Sequence, residues 1–181
     1  MDDIVLAALK KWPNVPACYG WLALDARGDW YLRDDQAQAA GPFPRVKGSR
    51  IQHVKLREVI ERNYLADGAG RWLFQNGPQC VYVELEAAPW VWRLPVVDGV
   101  SKPGRQVQAH TGQTVNVQTS WLDEHGRLFL ATELGLGIVH TQDMLHAADL
   151  VESGAWAPKD VAFYELPARF GYCLHPQPAP K

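Results

Sequence analysis

His140, Asp143, His146 and Asp149 stand at steps of three in or beside one predicted helix, and imidazole with carboxylate is the pairing that binds metals and moves protons. A step of three falls about 60° short of a full helical turn. Four such side chains therefore fan round the helix and cannot converge on one ion. Asp143 and His146 could make half a metal site with His140 at the helix start, but no HExxH-like spacing completes it. A solvated helix face with a capping region accounts for these residues, and no metal or cofactor is expected. His110-Thr111-Gly112 lies in a polar loop, where a neutral imidazole beside a hydroxyl could take an anion or act as a base. The sequence names no nucleophile or orienting carboxylate to serve it. Trp90, Trp92 and Arg93 are the best binding candidates. On a strand the two indoles share one face and Arg93 takes the other. An open face would be a stacking platform for an aromatic ligand. A closed one would be core, which Leu94 on the same face favours. The candidate binding set is therefore Trp90, Trp92, Arg93, His110, Thr111, His140 and Asp143. Cys18, Cys80 and Cys173 have no local histidine, and no Walker loop, G-x-S-x-G or dinucleotide fingerprint appears.

These residues need a scaffold, and composition bounds it. The chain has 181 residues, 47% of them hydrophobic, which suffices for one globular domain made of two small halves. Its net charge of -2 is evenly mixed, a poor footprint for nucleic acid or an anionic membrane surface. Ile4 to Leu9 is too short an apolar run to span a bilayer, and Asp2 and Asp3 stand where a signal peptide would carry positive charge. Three cysteines without close spacing suit a reducing compartment, so a cytoplasmic location is expected.

Along the chain, residues 2 to 11 read as a short helix and residues 53 to 64 as the main one, with Leu56, Val59, Ile60 and Tyr64 on its apolar stripe. Residues 34 to 50 read as a long loop. Val81, Val83 and Leu85 alternate with Tyr82, Glu84 and Glu86, so one strand face is buried and the other wet. A second helix runs from Thr141 to about Glu152, with Gly154 as its stop. The expected organisation is an N-terminal half over 1–94, a connection over 95–113, a C-terminal half over 114–170 and a frayed tail over 171–181.

An internal pattern supports two halves. Asp-x-x-Gly-x followed by three apolar residues occurs at Asp25, Asp67 and Asp123. The carboxylate can accept a backbone N–H and the glycine takes the positive-φ position that closes the turn. Two copies continue to Ile-x-His and a helix, at Ile51-Gln52-His53 and Ile138-Val139-His140. The expected fold is α+β: antiparallel hairpins and sheets with two main helices, in two related halves forming one compact unit.

Residues 51 to 90 resemble an uncharacterised bacterial family known only as a domain of unknown function. The matching residues are Ile51, Leu56, Asp67-Gly68, Trp72-Leu73-Phe74, Pro78, Val81, Val83-Glu84 and Ala88-Pro89-Trp90, with Leu128 to Thr132 in the second half. The resemblance implies a two-repeat α+β fold and a signalling or regulatory role, and brings no catalytic residues. The expected function is a non-enzymatic regulatory module that binds a small molecule or a protein partner. One alternative is a small hydrolase or isomerase with His110 or His140 as general base, and another is a structural homodimer.

Overall fold

The computed structural model describes residues 1–94, 96–97, 100–101 and 105–178. The chain divides into two compact units. The first holds Met1–Asp25, Asp29–Glu86 and the described residues from Gly171 onward; the second holds Ala26–Gly28 and Ala87–Phe170.

The first unit is built on a mixed sheet of β1 (Cys18–Leu24), β2 (Trp30–Leu32), β3 (Ser49–Arg50), β4 (Tyr64–Ala66), β5 (Trp72–Asn76) and β6 (Gln79–Leu85). Their order is β3-β2-β1-β6-β5-β4. Two antiparallel three-strand runs meet at a parallel seam between β1 and β6, with Leu22 opposite Val83. Helices α1 (Asp3–Lys11), α2 (Asp35–Ala40) and α3 (Val54–Arg62) accompany the sheet. Strand β6 is central and buried on both faces: Val83 and Leu85 are core, but so are Tyr82 and Glu84, contrary to the wet face that alternation suggests. Part of the cover is the chain after Phe170, where the Leu174 carbonyl accepts the Leu85 N–H at 2.8 Å.

The second unit contains β7 (Trp90–Arg93), the short ribbon β8 (Val96–Val97) and β9 (Val100–Ser101), then β10 (Gln106–Ala109), β11 (Thr114–Asp123), β12 (Leu128–Thr132) and β13 (Gly135–Val139). After these come α4 (Met144–Glu152), β14 (Lys159–Val161) and α5 (Leu166–Phe170). Strands β7, β10, β11, β12 and β13 form a closed five-stranded barrel, and β14 pairs with β11 outside the ring. Each barrel strand runs antiparallel to the one before it, so the first and fifth point the same way. Closure of β7 onto β13 has to be parallel, and it is. Val91, Trp92, Val107, Phe129, Leu130 and Leu136 on these strands are buried, and because neighbours along a strand alternate faces, some pack inside the ring and others beneath its outer cover.

The two-helix α+β expectation is overturned. Among the described residues fourteen strands outweigh five helices of at most nine residues, and the two units are an open sheet and a closed barrel rather than related halves. Local punctuation is shared even so. In all three Asp-x-x-Gly turns the first residue's N–H donates to the carbonyl four residues on, at 2.9 to 3.1 Å, and its carboxylate accepts a backbone N–H. Gly28, Gly70 and Gly126 take φ of 80°, 73° and 72°. Each turn opens a three-strand antiparallel run: β1 to β3, β4 to β6, and β11 to β13. Both Ile-x-His copies end in a capping imidazole as well. His53 Nδ1 accepts the Leu56 N–H, and His140 Nδ1 accepts the Gln142 N–H. The connection expected over 95–113 lies partly outside the described residues; within it, Gln106–Ala109 is a barrel strand. Residues 179–181 of the tail are outside the described residues too.

Candidate functional site

The candidate residues gather along β7, apart from Thr111, and each takes part in the barrel's own bonding. Trp90 and Trp92 share a face as their spacing requires, stacked at 6.0 Å between ring centroids. Both are buried. Their indole N–H groups donate to the Leu134 carbonyl at 2.8 Å and the Leu130 carbonyl at 2.9 Å. Gly137 makes room for them, because a Cβ there would run into the Trp92 indole and lie 2.7 Å from Trp90 Cβ. Arg93 grips Asp143 with Nε at 2.6 Å and Nη2 at 3.2 Å, and the Leu94 N–H adds a third bond to the same carboxylate. Burial alone would raise the Asp143 carboxyl, but the Arg93 and Leu94 hydrogen bonds outweigh it and hold it below its usual range.

His110 packs its ring against Trp90, and its Nδ1 accepts the Val91 N–H at 3.3 Å. Burial pushes its pKa down to about 3, so the ring is neutral at physiological pH. The Thr111 hydroxyl donates to Gln113 Oε1 at the tip of the β10–β11 hairpin. His140 donates its N–H to the Trp92 carbonyl while its ring caps the turn before α4. Asp143 therefore serves as a clamp between α4 and β7, and His140 as a helix cap. Among the described residues no cluster of three or more His, Cys, Asp or Glu side chains could hold a metal, and the three cysteines are unbridged.

A different arrangement lies within the first unit. A cleft of about 300 Å³ is lined by Tyr19, Arg33, Gln38, Phe43, Glu84 and His175, with Gly20 and Gly41 among the backbone segments around it. Strand β1 supplies Tyr19, whose ring stacks on Tyr82 of β6 at 4.6 Å. Arg33 follows β2, and its N–H bonds the Trp21 carbonyl. Helix α2 is capped by Asp34, which accepts the Ala37 N–H. It carries Gln38, whose amide returns to the Arg33 carbonyl at 3.0 Å. The chain then bends at Gly41 and passes Phe43, so the segment read as a long loop folds back over the Arg33 side chain.

The Arg33 guanidinium is almost fully enclosed, the residue being 4% exposed. Its Nη2 donates to the Gly41 carbonyl at 2.6 Å and its Nε to the Val46 carbonyl at 3.3 Å. Glu84, also buried, pairs with His175 Nδ1 at 2.6 Å. That pairing fixes the imidazole's orientation and leaves its Nε2 as the ring's second functional nitrogen. The sequence held little sign of this site. Arg33, Glu84 and His175 sit in three distant stretches with no shared motif, and strand alternation assigns Glu84 to solvent.

No helix among the described residues is long and apolar enough to cross a membrane. No curated protein matches the chain. Among solved structures, a crystal structure of a DUF1285 family protein from Shewanella baltica OS155 is similar, at 14% identity and a TM-score of 0.49, over 76% of this chain and 97% of that one. The resemblance to a family of unknown function holds: the family model DUF2944, described as "Protein of unknown function (DUF2946)", matches residues 1–177, and the chain belongs to that family.

Proposed function

We propose that this chain is a small-molecule-binding module of regulatory type, with its ligand seated in the cleft of the first unit. The observation that carries the reading is the cleft itself. About 300 Å³ of concave space is walled by four separate stretches of chain and holds a buried carboxylate locked to an imidazole at 2.6 Å. A small-ligand site has this form: a pre-shaped hollow with a few fixed polar groups. The proposal favours binding over catalysis because the two imidazoles proposed as bases have other roles, His110 as a neutral, enclosed ring and His140 as a cap.

A thermal-shift screen of metabolites against the full chain tests it. A ligand at a hundredfold excess over its Kd stabilises the folded state by about 2.7 kcal/mol. The expected result is at least one compound that raises Tm in the wild type and has little effect on His175→Ala. A screen without a single stabiliser, or stabilisation untouched by His175→Ala and Gln38→Ala alike, would overturn the proposal.

A further inference from the structure

We infer that the cleft takes an oxyanion, a carboxylate or phosphate carried by a small molecule, with the Arg33 guanidinium as its counter-charge. The inference rests on reading the cleft as a ligand site and goes on to name the ligand's chemistry. A guanidinium has five N–H donors. At Arg33 two bonds go to backbone carbonyls, which are neutral. No carboxylate lies within ion-pair distance of it among the described residues. Glu84, on the same lining, is taken by His175 instead.

Six of the chain's ten other arginines sharpen the point. Arg50, Arg62, Arg71, Arg93, Arg127 and Arg169 each pair with a carboxylate, although their side chains are 29% to 55% exposed and water would screen them unaided. Arg33 is the more deeply buried and has two carbonyls and the face of the Phe43 ring, 6.0 Å from its centroid, none of which carries a negative charge. Burying a cation without a partner is strongly unfavourable, and buried charges are as a rule paired. An oxyanion supplies the missing charge, and its two oxygens match the planar fork of the guanidinium. His175 Nε2, the ring nitrogen that Glu84 does not engage, is a second polar atom on the same lining.

Matched pairs of probes test the inference on the wild-type chain: benzoate against benzamide, succinate against succinamide, and inorganic phosphate alone. Each is titrated into ¹⁵N-labelled protein and followed by NMR. The acids are expected to bind at least tenfold more tightly than their amides, with shifts centred on the Gly20 and Gly41 amides and the Arg33 Nε–H. Arg33→Gln should bring acid and amide within about twofold of each other. If that variant does not fold, the wild-type Arg33 Nε–H resonance carries the same information, since only direct engagement moves it strongly. Amides that bind the cleft as well as acids would sink the anion inference and leave the cleft reading standing. Cleft resonances that move with no probe would sink both. Binding of inorganic phosphate but of neither acid would mean an adventitious ion only, and the inference would fail.

Discussion

Arg33 and Arg93 sit at equivalent places, each at or just past the end of a strand, one in the open-sheet unit and one in the barrel. Their surroundings are the reverse of what solvation would ask for. Arg93, with 44% of its side chain exposed, has a two-pronged grip on Asp143. Arg33, nearly sealed from water, has two carbonyls, the Phe43 ring and, among the described residues, no counter-charge. In the barrel the polar groups at β7 are answered from within the chain: Asp143 by Arg93, the indole N–H groups by carbonyls, the Val91 N–H by His110. A residue whose charge is met by its own fold is structural in role. One whose charge is left over is the ground on which the oxyanion site is proposed. The barrel and the cleft differ in this balance more than in residue type, since both hold an arginine, a histidine and a carboxylate.

The largest expected effect belongs to the barrel, at His110. Its pKa is about 3 in the folded chain because the ring is enclosed, against about 6.5 when unfolded. Above about pH 6.5 both states are neutral and the burial is fully favourable. Between about 6.5 and 3 the unfolded chain binds a proton that the folded chain refuses, so stability falls as pH falls, by about 1.4 kcal/mol per unit. His110→Gln keeps a side-chain acceptor for the Val91 N–H and removes the titration. Urea melts in steps from about pH 7 to 4 should show the wild type losing stability more steeply than the variant by that amount. Identical slopes would mean that the barrel's polar interior is not closed to protons, and the contrast with the cleft would weaken.

A second comparison uses one turn in both units. Gly70 and Gly126 close Asp-x-x-Gly turns at nearly the same φ. A Cβ at Gly126 would meet nothing within 4 Å, whereas one at Gly70 would run into the carbonyl oxygen of Gly171. Gly126→Ala should cost about 1 kcal/mol, from the left-handed backbone alone. Gly70→Ala should cost roughly 2–3 kcal/mol, because the carbonyl must also move. Denaturant midpoints of the two variants check this. Equal losses would show that the chain at Gly171 gives way freely, and the wall that brings His175 to the cleft would be a loose one.

What could be read from sequence follows from this locality. The three Asp-x-x-Gly turns are self-contained in five residues, with carboxylate, glycine and hydrogen-bond partners all in one stretch, so their pattern shows directly. The shared face of Trp90 and Trp92 follows from a strand period of two in the same way. Barrel closure does not, because the β13–β7 and β10–β11 pairings leave no trace in local periodicity, and a strand alternates alike in a sheet or a barrel. Recurring turns therefore suggested recurring halves, while the strands between them pair in unrelated ways. The cleft was hidden for a related reason. Glu84 alternates onto a face that would be wet if the sheet ended there, and it is the distant segment bearing His175 that covers it.

The smallest expected effect bears most directly on the two arginines. Asp143→Ala removes the acceptor of three hydrogen bonds and leaves Arg93 unpaired, but the guanidinium's exposure limits the loss to about 1–2 kcal/mol. Arg33→Met keeps much of the side chain's length and discards a buried charge that no carboxylate among the described residues answers. It gives up two hydrogen bonds to the Gly41 and Val46 carbonyls. Replacing a buried charge by an apolar chain of similar volume is often neutral or favourable. The change should therefore be small, within about 1 kcal/mol of zero and on the stabilising side, as is usual where a site holds strain for function. Thermal melts of the two variants without ligand give the signs: down for Asp143→Ala, level or up for Arg33→Met. A loss at Arg33→Met larger than that at Asp143→Ala would make Arg33 a strut holding the 41–46 segment in place. Its hydrogen bonds would then be sufficient reason for its burial, and the missing counter-charge would no longer point to a ligand.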